Sequence, residues 1–554
     1  MVNRAFNFVY QEVRGLHQAA YVLALFAFGS QILAIVRDRL LAHTFGAGVE
    51  LDLYYAAFRI PDLLFVLFAS VLSVYVLLPF VNKHTELDTP QAGGSVLSQV
   101  FSIFLVVYVM VAGSLALFAP YFIPTLFPGF VGEYDTLVVL FQILLLQPFL
   151  LGLSSLCGVV TQLNHRFVLY ALSPLLYNIG IIIGITFFYP VFGQIGLALG
   201  VVLGAVGHLL IQIPFVMSSE YAFSLTSNIN WQLIRQVLAV SVPRALTLSV
   251  NQIVLLIFIS MASLMAAGSV SVFQFAFNLQ SVPLAIIGMS YSVAAFPTLS
   301  LLHAKRNQNG FNTQLLTALR HIIFWSVPIV ALVVVLRAQI VRVLLGSGAF
   351  DWSDTRLTAA VLAIFVVSLL AQASLLLLIR AFYAGGRTML PLYVAFGSGL
   401  FSVTAAILFR TLYIQHVELQ VFINDLLRLR DVLGAEVLVL ALAFVCGQFV
   451  QLGILLLLSK RAFNISYRPL WRLLLQSLLA AIAGAVAAYV TLFFVERGVN
   501  QETFIGILMQ GIAAGVMGVF AIVLAYAACD ATELKEIYKS FQARLFKTDI
   551  IAPQ

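Results

Sequence analysis

The chain has 554 residues, 62% of them hydrophobic and 9% charged, and its mean hydropathy is +1.05. So little polar side chain cannot cover a water-soluble globule of this size, which excludes a soluble enzyme or a large aqueous domain and makes lipid the solvent. The net charge of +7 therefore bears on membrane topology rather than on nucleic acid, because the placement of Lys and Arg orients a polytopic chain.

Residues 1–15 mix Arg4 and Glu12 with apolar residues, and no small-residue cleavage site follows, so they predict a retained membrane-surface segment. From there apolar stretches of about 20 residues recur as far as residue 528, the signature of an all-α polytopic membrane protein with about fourteen transmembrane helices. They fall near 16–36, 51–81, 95–124, 134–162, 167–189, 193–218, 232–264, 270–300, 317–340, 356–384, 388–413, 433–459, 468–495 and 503–528. Helices 1–6 (16–218) form one expected lobe and helices 7–12 (219–459) a second. Helices 13–14 (460–528) and a tail, 529–554, follow. The insert 414–432, with Asp425, Arg428 and Arg430, reads as a surface amphipathic helix.

Alternate breaks carry the flanking cations, among them Lys83, Arg166, Arg235, Lys305, Arg387 and Lys460, whereas the breaks after helices 3, 5 and 7 carry none. Both termini are therefore expected to be cytoplasmic. A weak repeat overlays helices 3–4 on helices 9–10: Asp135-Thr136 falls on Asp354-Thr355 and Arg166 on Arg387, at offsets of 219 and 221. A shift of six helices preserves direction across the membrane, so the two lobes are expected to be related by an axis along the membrane normal with a cavity between them, the architecture of an alternating-access transporter.

Chemistry concentrates in the first two helices, which hold Arg37-Asp38-Arg39, Gly46, Gly48, Asp52, Arg59, Pro61 and Asp62. Ionisable groups beside apolar spans are costly and face protein or water, which makes them candidates for a ligand site. Arg37 and Arg39 lie about 200° apart around a helix, so only one can point into a cleft. Arg37 follows a nearly unbroken apolar run and is the first choice, since a guanidinium donates bidentate hydrogen bonds to a diphosphate and stays charged; the competing reading is an interfacial anchor. Arg59, two residues before a helix-kinking proline, is either a second phosphate contact or the structural partner of Asp52 or Asp62. Arg244, after Pro243, is a headgroup or interface anchor. Nothing suggests catalysis, a cofactor or a metal site: there is no phosphate-binding glycine loop and no His/Cys/Asp cluster at ligand spacing. Cys157, Cys446 and Cys529 read as core residues.

The stretches VRDRLLAHTFGAG with Asp52, FRIPDLL (58–64), SVPRALTLSVNQI (241–253), the run 266–300, IVRVLLGSGAFDWSDTRLTAAVLAIF (340–365) and IRAFYAGGRT (379–388) together resemble the MurJ (MviN) family of the multidrug/oligosaccharidyl-lipid/polysaccharide exporter superfamily. The resemblance implies a bacterial inner-membrane flippase that moves lipid II, the undecaprenyl-diphosphate-linked peptidoglycan precursor, to the outer leaflet, with cell-wall synthesis proteins as candidate partners. Family members use cavity arginines for the diphosphate; Arg37 matches one such position, with Asp38 beside it, and Asp52 matches another polar position.

Two departures stand out. Phe65-Val66 occupies the place of a usual Arg-rich turn, and Phe277-Asn278 that of a usual Asp-Arg pair in helix 8. Arg59 and Arg244 are candidates to compensate, with Asn278 left as the polar substrate contact in helix 8; otherwise the headgroup or its binding mode differs. Gly46, Gly48 and Pro61 are the expected hinge points. Two alternatives stay open: an exporter of another polyprenyl-linked glycan or of an amphipathic drug, and a membrane scaffold that has lost transport.

Overall fold

The computed structural model describes residues 16–87, 90–498, 500 and 503–545. The expected interfacial segment 1–15 and the end of the tail lie outside the described residues. What is described is helical with short turns and contains no strand. In lipid a strand edge would leave backbone N–H and C=O groups without partners, whereas a helix satisfies them internally.

Among the described residues twelve helices are long and apolar enough to span a membrane, and the pair Trp352–Val367 and Leu369–Ala384, bent by 43° at Ser368, makes one more. Leu16–Phe45, 30 residues long, also has the length to cross. These elements coincide one for one with the fourteen expected from the apolar runs. The insert contains the short helix Val417–Leu426, as expected. Hydrogen bonds from Arg430 and Arg356 hold the carboxyls of Asp425 and Asp431 below the usual carboxylate range, so both clamps on the insert are closed at neutral pH and open only under acid conditions.

Large apolar side chains point outward on helices that are apolar all round, among them Phe28, Phe118, Phe396 and Phe520, each more than half exposed. Such a surface suits hydrocarbon and not water. Inside, hydroxyls close back on their own helix: Ser173 Oγ donates to the Leu169 carbonyl at 3.0 Å and Thr247 Oγ1 to that of Pro243 at 2.7 Å. This satisfies a polar group where water is absent, and at Thr247 it covers a carbonyl near a proline. Asn230, Asn307 and Thr503 cap the helices Trp231–Ser263, Gln308–Leu344 and Phe504–Ala528 by accepting from their first free amides.

The described residues form two compact units, one running up to Ser271 with Ser347–Asp351 added, the other Val272–Gly346 with the residues from Trp352 onward. In the first, Phe167–Ile183 packs against Leu16–Phe45 and against Gln194–Leu210. The second contact is backbone on backbone: a Cβ on Gly180 would lie 2.2 Å from the Gly204 Cα, and one on Gly184 would lie 2.6 Å from the Gly200 Cα. Small residues at four-residue spacing are how helices approach closely where lipid removes the hydrophobic drive for association. In the second unit Gln308–Leu344 packs on both C-terminal spans, Arg468–Glu496 and Phe504–Ala528. There Tyr526 stacks on Phe324 and donates to its carbonyl at 2.7 Å. The tail begins as a helix, Thr532–Leu545, held to Arg320 through Glu533 at 2.6 Å.

Candidate functional site

Leu16–Phe45 carries Arg37 toward Phe167–Ile183. The Arg37 Nε and Nη2 donate to one Asp38 carboxylate oxygen at 2.9 and 2.8 Å, and Nη1 donates to the Asn178 side-chain oxygen at 3.1 Å. The Asn178 amide is fixed in turn, donating to Ser30 Oγ and to the Pro174 carbonyl, both at 3.2 Å. A guanidinium has five N–H donors, so three are engaged among the described residues and two are left for a further acceptor. Tyr54, Tyr55 and Tyr177 surround the same charge. Arg37 is thus a pre-oriented cation in a protein-lined setting, the arrangement that binds a phosphate oxygen without first ordering a long side chain.

Arg39 lies on another side of the helix, half-buried, as the 200° separation requires. Arg59 is buried, and its Nε donates to the Tyr55 carbonyl at 3.2 Å. Asp62 lies close enough for the opposite charges to attract. Pro61 is buried in the first turn of Arg59–Val71. The helix breaks at Phe58, between Val49–Ala57 and Arg59–Val71, because Pro61 has no N–H for the Ala57 carbonyl four residues back. Arg59 bridges that break with its side chain.

Asp52 is 2% exposed. Its Oδ2 accepts from the Gly268 amide at 2.7 Å, and its Oδ1 from the Ser271 amide at 2.7 Å and hydroxyl at 2.6 Å. A carboxylate from helix 2 therefore caps the start of Ser269–Leu284, where the free amides and the helix dipole favour an anion. The turn depends on Gly268, whose φ of +87° is left-handed and whose added Cβ would fall 2.1 Å from the Ala47 carbonyl oxygen. Gly46 ends Leu16–Phe45 at φ +62°, the usual exit from a helix through a left-handed residue. Gly48 stands extended before Val49–Ala57.

Arg244 is half-buried on Trp231–Ser263. Asn278, in the second unit, accepts from Gln274 Nε2 at 2.6 Å. Beside it Phe277 packs edge-on against Phe365 and Phe444, both at 5.7 Å, and parallel to Phe273 at 6.4 Å. An aspartate at 277 would be a charge among aromatic faces, where its burial would be costly. The structure also brings in residues that the sequence reading had not singled out. Asn178 is one, and the pair Gln280–Gln372 is another: Gln372 Nε2 donates to Gln280 Oε1 at 3.1 Å and to Ser368 Oγ at 2.7 Å, at the bend between Trp352–Val367 and Leu369–Ala384. An isolated Asn or Gln in an apolar run was the available signal. Among the described residues no group of His, Cys, Asp and Glu is placed to hold a metal ion.

The family model described as lipid II flippase MurJ matches residues 41–509. A probable lipid II flippase MurJ from Buchnera aphidicola subsp. Acyrthosiphon pisum is 30% identical over 385 residues, covering 67% of this chain and 73% of the relative. Among solved structures, a lipid II flippase MurJ in an inward closed conformation superposes with a TM-score of 0.71 at 22% identity, covering 92% of this chain and 99% of that one. An inward-facing multidrug resistance MATE family transporter of the MOP superfamily gives 0.62 at 16% identity, covering 78% of this chain and 94% of that one. With the family model spanning most of its length and the fold shared with that flippase, the chain belongs to the lipid II flippase MurJ family.

Proposed function

We propose that this protein translocates lipid II from the inner to the outer leaflet of the cytoplasmic membrane by alternating access, with both termini cytoplasmic. Family membership over residues 41–509 carries the reading. Arg37 is the residue that binds the diphosphate: its position is set by Asp38 and Asn178, and two N–H donors remain for phosphate oxygens. Asp38 holds the charge in balance while the site is empty and yields part of the fork when the more highly charged diphosphate arrives. Arg59 and Arg244 are secondary polar contacts for the headgroup, and Asp52 secures the turn at Gly268 rather than touching it. Gly46, Gly48 and the break before Pro61 supply the points of flexure.

The test is reconstitution of the full chain in liposomes with fluorescent lipid II, comparing wild type, Arg37→Ala and empty vesicles. Transport by the wild type and a loss of about 100-fold in Arg37→Ala are expected, the scale of an interaction made to a charged group. Full activity in Arg37→Ala removes Arg37 from the mechanism, and absence of wild-type transport under every ion gradient removes lipid II as substrate. The aromatic cluster at Phe277 supports a second reading, a polyprenyl-linked glycan with a different headgroup, which the same vesicles distinguish when loaded with that lipid.

A further inference from the structure

We infer that the second unit binds the phosphate of an anionic phospholipid, in a cavity of about 660 Å³ between the end of Gln308–Leu344, the start of Trp352–Val367, the insert 414–432 and the facing ends of the two C-terminal spans. Three arginines line it: Arg337, Arg356 and Arg428. Arg356 is neutralised by both Asp431 oxygens, at 3.0 and 2.8 Å, and also donates to the Arg428 carbonyl. It thereby fixes the insert and presents the Arg428 side chain.

The other two cations have no carboxylate partner among the described residues. Arg337 donates through Nη1 to the Val334 carbonyl at 2.7 Å, and Arg428 has no side-chain hydrogen bond or ion pair among the described residues. Both guanidiniums line the same cavity and carry the same charge. Glu496 also lines the cavity, but it is exposed and pairs with neither among the described residues. Two like charges held at one cavity by packing and by a clamped loop are stabilised by an anion that bridges them, and a phosphate matches the guanidinium fork.

The surroundings select a lipid as the source. Trp352, Tyr489 and Phe493 line the same cavity and are each more than half exposed, the composition of a membrane–water interface. The insert helix exposes Val421, Phe422 and Leu426, so it lies on the bilayer as an amphipathic element beside the arginines. Gln339 lines the same cavity, and its buried side-chain oxygen has no partner among the described residues. This inference stands on the charge and shape of the cavity and does not depend on the transport reading.

The test uses the purified full chain in mild detergent, titrated with phosphatidylglycerol, phosphatidylcholine and soluble glycerol 3-phosphate and read by native mass spectrometry. Phosphatidylglycerol binds preferentially, and Arg337→Gln with Arg428→Asn weakens it about tenfold or more, the scale of one lost charge-assisted hydrogen bond. Arg428→Asn alone gives a reduction in a variant that folds, because the side chain is exposed and Asn accepts the left-handed φ of +60° at that position. Unchanged binding in either folded variant overturns the site. Binding of glycerol 3-phosphate as tight as that of the lipid overturns the lipid as its source.

Discussion

Arg37 and Asp38 adjoin in sequence, yet the Arg37 side chain is long enough to turn its fork back onto Asp38 while extending Nη1 to Asn178, 141 residues away. The cation was legible in the sequence because charge in an apolar run is conspicuous; Asn178 was not, because one asparagine in a helix has no periodicity to betray its partner. If Asp38 balances the empty site, Asp38→Asn keeps the shape, weakens the hold on the guanidinium and leaves Arg37 more available to phosphate. Binding of a soluble diphosphate analogue is then expected to tighten about threefold to tenfold while release slows, measured by calorimetry alongside the vesicle assay. Asp52→Ala leaves the Gly268 and Ser271 amides and the Ser271 hydroxyl buried without an acceptor. That costs on the order of 3 kcal/mol or more, read as a lowered midpoint of thermal unfolding in detergent. A large transport defect with an unchanged midpoint would instead make Asp52 a substrate contact.

At the scale of elements, the fourteen apolar runs became helices at the expected places because in lipid the choice of backbone structure is narrow. Their internal breaks were less legible. Pro61 announced a kink, but the break sits at Phe58, where the missing amide leaves the Ala57 carbonyl without its donor. The bend at Ser368 has no proline to announce it. The tight pairing of Phe167–Ile183 with Gln194–Leu210 was present in the sequence as glycines at four-residue spacing, but the facing partner of each glycine is a tertiary fact. Gly180→Val places a side chain into the backbone of the neighbouring helix, 2.2 Å from Gly204. A loss of at least about 2 kcal/mol is expected, seen as faster irreversible unfolding on heating, with Gly113→Val, which meets nothing within 4 Å, as the control.

For the whole molecule, the proposed orientation with both termini cytoplasmic rests on the Lys and Arg bias in the breaks. With single cysteines placed in a variant lacking Cys157, Cys446 and Cys529, a cysteine at Lys539 in the tail is expected to react with a membrane-impermeant maleimide only after the membrane is opened. One at Gln420 in the insert is expected to react in intact spheroplasts. The reverse pattern would invert the direction assigned to transport. The insert and the tail are both helical and both anchored by arginine–carboxylate pairs, Arg356–Asp431 and Arg320–Glu533, so each is a structured reporter of its own face.

The sequence by itself determined the solvent, the place of the helices and the family resemblance, and it put Arg37 forward as a candidate cation, because each is a property of a local run: hydropathy summed over about 20 residues, or a charge where lipid forbids one. What Arg37 holds, what Asp52 caps and what packs around Phe277 were decided only by the tertiary structure. Each depends on side chains brought from distant helices, and contact of that kind is set by how apolar helices pack, through small residues and a few polar pairs, which a lipid-facing composition leaves unmarked.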